Sequence, residues 1–482
     1  MSRLMRIFII HILSWMSSCL LGDGLPFDLL SISGLRHFKA NNLTNPGCAQ
    51  AALDDLKKKA SIALNNQQPY SVTNSSRSPP NGNEHGYYSW APYFHANCSG
   101  VPHIKDPMTD CPYQRIDGKY ATDLRLLTDP RDSGSMVNDV LALSIYYYLY
   151  EDEKYATKAV QLLNVWFLDP DTAMRPNIEF GQVVRGPGEW VGRVEGILDM
   201  RYYVYIPAAV ELLTNSTAVG GSNSQFTKEM KTWFFQYGNW LLTSKLGTGA
   251  RNAANNHATF YVVQLATYFA WTGQEKKAII LIQEFRDRQF QYQIIKSGEQ
   301  PLESGRTRSF HYQAFNLIAL TYIARLSEKI NGAPNFWEQK TKQGATIKTA
   351  VDYLVDQGFP KDDPIYFMVP LYSAKQHYGD STGKYNKFLS KLLQIDIPGD
   401  EWWLFWNPLA LNDAGSMPPK VGTNRTDDDD IEEDGGGYTP ADTNETVKWS
   451  SGALSITNSS VLCNYFVWGS LWILILGFIP RL

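Results

Sequence analysis

Cysteine is scarce in this chain: five residues in 482, with no Cys-x-x-Cys pair. That excludes a zinc ribbon, and no clustering of His, Cys and Asp marks a metal or cofactor centre. No clear pair of carboxylates announces a hydrolase. Charge is also sparse, at 19% Asp, Glu, Lys and Arg with a net of −4, and no basic block suggests nucleic acid. Strand-like alternation is rare, and long apolar runs occur only at the two ends.

The ends read as processing signals. Arg3 and Arg6 precede the mostly apolar stretch from Ile7 to Leu21, with small residues near position 22. The order is that of a secretory signal over residues 1–22. At the other end, Val461 to Pro480 is apolar and uncharged, and only Arg481 and Leu482 follow. Ser450, Ser451 and Gly452 and a short polar spacer come before it. Small site, spacer and terminal apolar tail describe a GPI-attachment signal over 453–482, with a retained tail anchor as the alternative. Upstream, residues 421–452 carry nine acids and two bases, with Gly435 to Gly437 and Pro440. This reads as a disordered, solvated acidic stalk. Without it and the terminal signals, the body is nearly neutral. Sequons at Asn42, Asn74, Asn97, Asn215, Asn424, Asn444 and Asn458 fit a secreted, extracellular glycoprotein attached to the cell surface through its C-terminal anchor. Discarding Cys19 and Cys463 with the signals leaves three cysteines. Cys98–Cys111 is the simplest disulfide, and Cys48 is an alternative partner.

Between the ends, residues 25–420 read as one helical unit. Val137 to Tyr150 and Tyr155 to Phe167 flank a break at Glu151–Lys154. Ala258 to Trp271 and Ala278 to Phe285 flank a break at Thr272–Lys276, 122 residues later. Arg308 to Leu326 and Trp337 to Leu354 suggest another pair. Serial antiparallel hairpins predict an all-α fold, an incomplete α/α toroid with a groove at its mouth.

The chemistry concentrates in Asn255-Asn256-His257 and in the run from Glu303 through Arg306 and Arg308 to His311-Tyr312. Amide, imidazole, guanidinium and phenol together suit holding a carboxylate and moving a proton beside it. Taken singly each has a bland reading: Asn256 as a helix N-cap, Tyr312 as a core aromatic, His257 as structural. Gln182, Arg193 and Arg201 are candidate subsite residues, on equal terms with structural ion pairs. Trp90 and Tyr93, in a Gly/Pro-rich loop, are candidates for stacking on sugar.

These pieces resemble the alginate lyase superfamily, the polyuronate lyases with their secreted fungal-type members. The resemblance rests on Ser89-Trp90-Ala91-Pro92-Tyr93-Phe94, Tyr150 to Pro170, Gly192-Arg193 with Asp199 and Arg201, Asn255-Asn256-His257, and Gln300 through Arg306 to His311-Tyr312. It implies cleavage of an anionic polysaccharide by β-elimination without a metal or other cofactor, in a monomer. Asn256 and His257 would neutralise the uronate carboxylate, with His257 adding charge if protonated. Arg306 would assist, and Tyr312 would take the C5 proton and return one to O4. Asn255, Glu303, Arg308 and His311 would line the site. The six-residue spacing from Arg306 to Tyr312 leaves Arg306 and Arg308 both open for the arginine role. The polymer also stays open, between alginate and a glucuronan-like wall polymer. Two rivals stand beside this reading. One is a glycosidase on the same architecture using carboxylates such as Glu189, Glu195 and Asp199. The other is a non-catalytic wall-polysaccharide-binding surface protein.

Overall fold

A computed structural model describes residues 25–392, apart from 31, 42, 45, 47–49, 69 and 361–363. The signal segment 1–22, the stalk 421–452, the tail 453–482, the sequons at Asn42, Asn424, Asn444 and Asn458, and Cys48 lie outside the described residues. Among the described residues no helix is long and apolar enough to cross a membrane.

The described chain is built from helices: α1 (Ile32–Asn41), α2 (Gln50–Asn65), α3 (Asp129–Tyr150), α4 (Glu153–Phe167), α5 (Ile206–Leu212), α6 (Gln225–Thr243), α7 (Lys245–Asn252), α8 (Asn256–Trp271), α9 (Glu275–Asp287), α10 (Ser309–Lys329), α11 (Ile347–Asp356), α12 (Met368–Tyr378) and α13 (Lys384–Leu392). Two of the three expected hairpins are there as read. α3 stops where Glu151 turns left-handed at φ 59°, and Asp152 caps α4 by accepting from the Lys154 amide. Gly273, at φ 77°, makes the corresponding turn between α8 and α9. The α3–α4 and α8–α9 pairs pack along their lengths, and α8 also packs on α6, α7, α10 and the 3-10 segment Val194–Tyr205. This is the all-α, α/α toroid class.

One hairpin departs from expectation. Trp337 to Leu354 is not a continuous helix: a single 3-10 turn at Phe336–Glu338 is followed by a turn through Thr341–Gly344, and α11 begins only at Ile347. Gly344 stands at φ 80°, which a continuing helix cannot accommodate. The capping box of Thr346 and Thr349 then restarts the helix.

α8 is the central element. Fifteen of its sixteen residues are buried, and His257 is the exception. A helix apolar all round belongs in a core, so the polar pair at its start marks the place where the core reaches a surface.

Four short strands were not legible in the sequence, because three or four residues show no alternation. β1 (Tyr88–Trp90) pairs in parallel with β4 (Phe180–Val183), and β2 (Phe94–Ala96) pairs antiparallel with β3 (Tyr113–Arg115). The Cys98–Cys111 disulfide closes the β2–β3 hairpin, with Cα atoms 4.9 Å apart. The sequons at Asn74 and Asn215 are exposed and that at Asn97 is partly exposed.

Candidate active site

The site forms where α8 and α10 begin. Asn255 is the N-cap of α8 and accepts from the His257 amide. That leaves Asn256, the next residue, free of capping duty. Its backbone N–H and its Nδ2 donate to the two oxygens of Glu303, at 2.8 and 2.7 Å. Both residues are 1% exposed, and Glu303 is raised above the usual carboxylate range by burial, with the Asn256 bonds opposing. Asn256 Oδ1 is buried with no hydrogen-bond partner in the protein. Of the residues expected to bind substrate, Glu303 anchors Asn256 and Asn255 caps α8.

A buried amide network fastens the two helix starts together. Gln293 Nε2 donates to the carbonyls of Ala254 and Asn255. Asn316 Nδ2 donates to Gln293 and Gln300, and Gln300 Nε2 donates to the Gln313 carbonyl. Asn316 Oδ1 is left buried without a partner, but the remaining bonds tie the members to one another.

Burial holds the His257 imidazole down, to about 4, with Arg306, Arg193 and Arg115 adding to the effect and Glu195 opposing it. It is therefore neutral near pH 7. The sequence left open a protonated His257 supplying charge, and burial disfavours that form in this structure.

The phenol side of the candidate site lies one turn into α10. Tyr312 is 7% exposed, and its hydroxyl sits 2.8 Å from that of Tyr93, which donates onward to Tyr120 at 3.4 Å. The Arg306 guanidinium lies 3.7 Å from the centroid of the Tyr312 ring. Burial and the Tyr93 contact raise the phenol well above its ordinary range, and the Arg306 charge pulls the other way. Arg306 is held by Asp117, through Nε at 3.1 Å and Nη2 at 2.7 Å. The two arginines take different places. Arg306 covers the phenol. Arg308 precedes α10 and lines a separate cavity of about 480 Å³ with Thr307, Ser309, Gln357 and Gly358.

The chain matches the family model for alginate lyase over residues 71–363. The chain belongs to the alginate lyase family. A solved alginate lyase from Bacteroides ovatus shares 28% identity, covers 78% of this chain and 97% of its own, and superposes with a TM-score of 0.67. Alginate lyase A1-III from Sphingomonas species A1 shares 13% identity over 72% of this chain and 92% of its own, at a TM-score of 0.39. A variant of A1-III complexed with a tetrasaccharide gives 13%, 72%, 92% and 0.38. No curated protein matches. The chain is thus a polysaccharide lyase.

Within this alginate lyase fold, other expected site residues are placed as follows. Gln182 stands at φ 51°, and its Nε2 donates to Asp199 at 2.9 Å. Asp199 also accepts from Ser89 and Tyr87, at 2.6 and 3.1 Å. With three donors around it, Asp199 is a structural carboxylate. Glu195 pairs with Arg193 at 2.5 Å, and Glu189 lies exposed in the loop before it. Glu195 and Asp199 are thus each engaged by partners within the protein. Arg193 rests on the Phe94 ring at 4.8 Å, and Arg201 on Tyr202 at 4.1 Å. His311 is 6% exposed; it stacks parallel to Phe315 and edge-on to Tyr366. Burial lowers it to about 3. Trp90 is corrected outright. It is 3% exposed, with Arg185 at 3.9 Å and Arg77 at 5.8 Å from its ring, so it offers no face to a sugar. Tyr93 meets Tyr312 through its hydroxyl. Sequence reasoning missed Asp117, Arg115 and Tyr120. The only available signal was Asp117-Gly118, a turn dipeptide, which says nothing of what the turn touches.

Proposed function

We propose that this polysaccharide lyase cleaves an alginate-like polyuronide by β-elimination, with Tyr312 transferring the protons. The observation that carries the reading is the convergence at the starts of α8 and α10. Asn256 is anchored by Glu303, His257 is the one residue of its helix that is only partly buried, and Arg306 lies over the ring of Tyr312.

The C5 proton of a uronate is barely acidic while the carboxylate carries its charge. The site must therefore stabilise the second negative charge that develops there. Asn256 and neutral His257 offer hydrogen bonds to that carboxylate, and the buried amide floor keeps them from reorganising as charge grows. The Tyr312 oxygen takes H5. The C5–H electrons form the C4=C5 double bond, the C4–O4 bond breaks, and the departing O4 takes a proton from Tyr312. Arg306 favours the phenolate needed at the start. Positioned acid–base groups contribute about 10²–10⁴-fold, so carboxylate stabilisation supplies much of the remainder.

The family membership and the name of the Bacteroides ovatus relative support alginate as the polymer; glucuronan is the second substrate to try. The apolar ends and the sequons support an exported, surface-attached enzyme. The test is a panel of polyuronides followed by near-ultraviolet absorbance, since elimination leaves an unsaturated, absorbing product and hydrolysis does not. Wild type is expected to form that product, and Tyr312→Phe to form none. Full activity in Tyr312→Phe would end the mechanism.

A further inference from the structure

Asp117 lies in the turn that ends the disulfide-closed hairpin, 189 residues from Arg306 in sequence. Its carboxylate accepts from five donors. Arg306 gives Nε and Nη2, Arg115 gives Nη2 at 2.6 Å, and Thr307 gives its backbone N–H at 3.3 Å and its hydroxyl at 3.0 Å. Resting on the elimination reading, we propose that Asp117 is a positioning residue: it fixes the Arg306 guanidinium over the Tyr312 ring and joins the hairpin to the start of α10, so that phenol and cation arrive at the substrate preset.

The geometry favours orientation over simple neutralisation. A guanidinium presents five N–H groups in a planar fork. Asp117 engages the Nε–Nη2 edge, a two-point contact that sets the plane of the group as well as its place. That plane lies against the Tyr312 ring at 3.7 Å. The Nη1 corner is left unused by Asp117. A single lysine–carboxylate contact would fix a point and leave the direction open.

The turn itself is built for close approach. Gly118 has φ +75°, where side-chain-bearing residues are strained, and a Cβ added there would stand 3.4 Å from Cβ of Thr307. The hairpin also supplies Tyr93 at its start, which bonds the Tyr312 hydroxyl. One loop therefore touches both the phenol and its cation.

The charge of Asp117 opposes that of Arg306 at the phenol: its field raises Tyr312, whereas Arg306 lowers it. Two consequences of removing the charge follow, with opposite signs. Orientation is lost, which lowers kcat. The restraint on Arg306 as a cation is also lost, so the pH at which kcat levels off moves down. Arg306, released from its internal partner, pairs more readily with the substrate carboxylate, so KM does not rise.

The experiment measures kcat, KM and the pH profile of the full chain on the polyuronide that wild type cleaves, for Asp117→Asn, Asp117→Glu and Thr307→Val. Asp117→Asn is expected to lose roughly 10–100-fold in kcat, with KM unchanged or lower and the plateau displaced to lower pH. Asp117→Glu, which keeps the charge, should restore the wild-type plateau and part of kcat. Thr307→Val, which weakens the hairpin anchor and leaves the Arg306 pair, should stay within about twofold of wild type. An Asp117→Asn protein matching wild type in kcat and pH profile overturns the inference. So does a Thr307→Val loss as large as that of Asp117→Asn, because the carboxylate would then be an anchor for the loop alone. Wild type forming no unsaturated product on any polyuronide overturns the elimination reading and this inference with it. An active wild type matched by Asp117→Asn overturns this inference alone.

Discussion

On one side of the site, Asn256 and Glu303 are each 1% exposed and meet through two hydrogen bonds, with a floor of buried amides beneath them. On the other, the side chains of Arg306 and Asp117 keep 20% and 25% of their surface in solvent and meet as an ion pair. The first side joins the starts of two packed helices. The second depends on a loop reaching across from a distant part of the chain. A buried hydrogen-bonded network loses heavily when one member is changed, because the abandoned partner has no water to turn to. A partly exposed ion pair loses direction more than energy. Under the proposed mechanism, carboxylate holding would thus rest on rigidity, and proton transfer on charge that can be adjusted.

The comparison can be broken or sharpened by experiment. The largest effect is expected at the junction of the two sides: Tyr312→Phe should lower kcat by about 10³-fold or more, since the proton-transferring oxygen itself is removed. Glu303→Gln tests the buried side. An amide cannot accept from both Asn256 N–H groups, so about 1–3 kcal/mol of stability should be lost in denaturant unfolding, with roughly 10–100-fold in kcat from a displaced Asn256. An unchanged Glu303→Gln would show that the two sides do not differ in rigidity.

Opening the hairpin tests the other side. Replacing Cys98 and Cys111 by Ser removes a short closed loop, for which about 2–4 kcal/mol is typical. The loss should appear in unfolding of the oxidised protein and vanish in reductant. The smallest effect is a pH dependence. His257 and His311 are held down to about 4 and about 3 by burial. Their neutral forms are favoured by folding, so the stability they contribute is intact above the unfolded value of about 6.5 and is lost as pH falls through 4 and 3. Asp129, pushed up to about 7 by burial, has the opposite sign and weakens the fold as pH rises from about 4 to 7. Asp129→Asn should therefore add about 1 kcal/mol at pH 8 and little at pH 4, read from melting curves.

Much of the buried side was legible beforehand. The periodic apolar runs of α3, α4, α8, α9 and α10 announce helices, and Asn255-Asn256-His257 stands at a helix start. What misled was the division of labour. Asn255 caps and Asn256 reaches Glu303, and adjacent asparagines look alike until the helix direction is set. Trp90 misled for a related reason: a Gly/Pro-rich loop suggests exposure, yet Arg185 and Arg77 enclose the ring.

By itself, then, the sequence determined the helical hairpins, the Cys98–Cys111 pairing as the simplest choice, and the four side-chain types of the candidate site, because periodicity and motif spacing are local properties of the chain. Tertiary structure decided that His257 is desolvated, that Arg306 and not Arg308 covers Tyr312, and that Asp117 holds Arg306. Desolvation and ion pairing depend on which distant surfaces meet, and no local pattern encodes a contact across 189 residues.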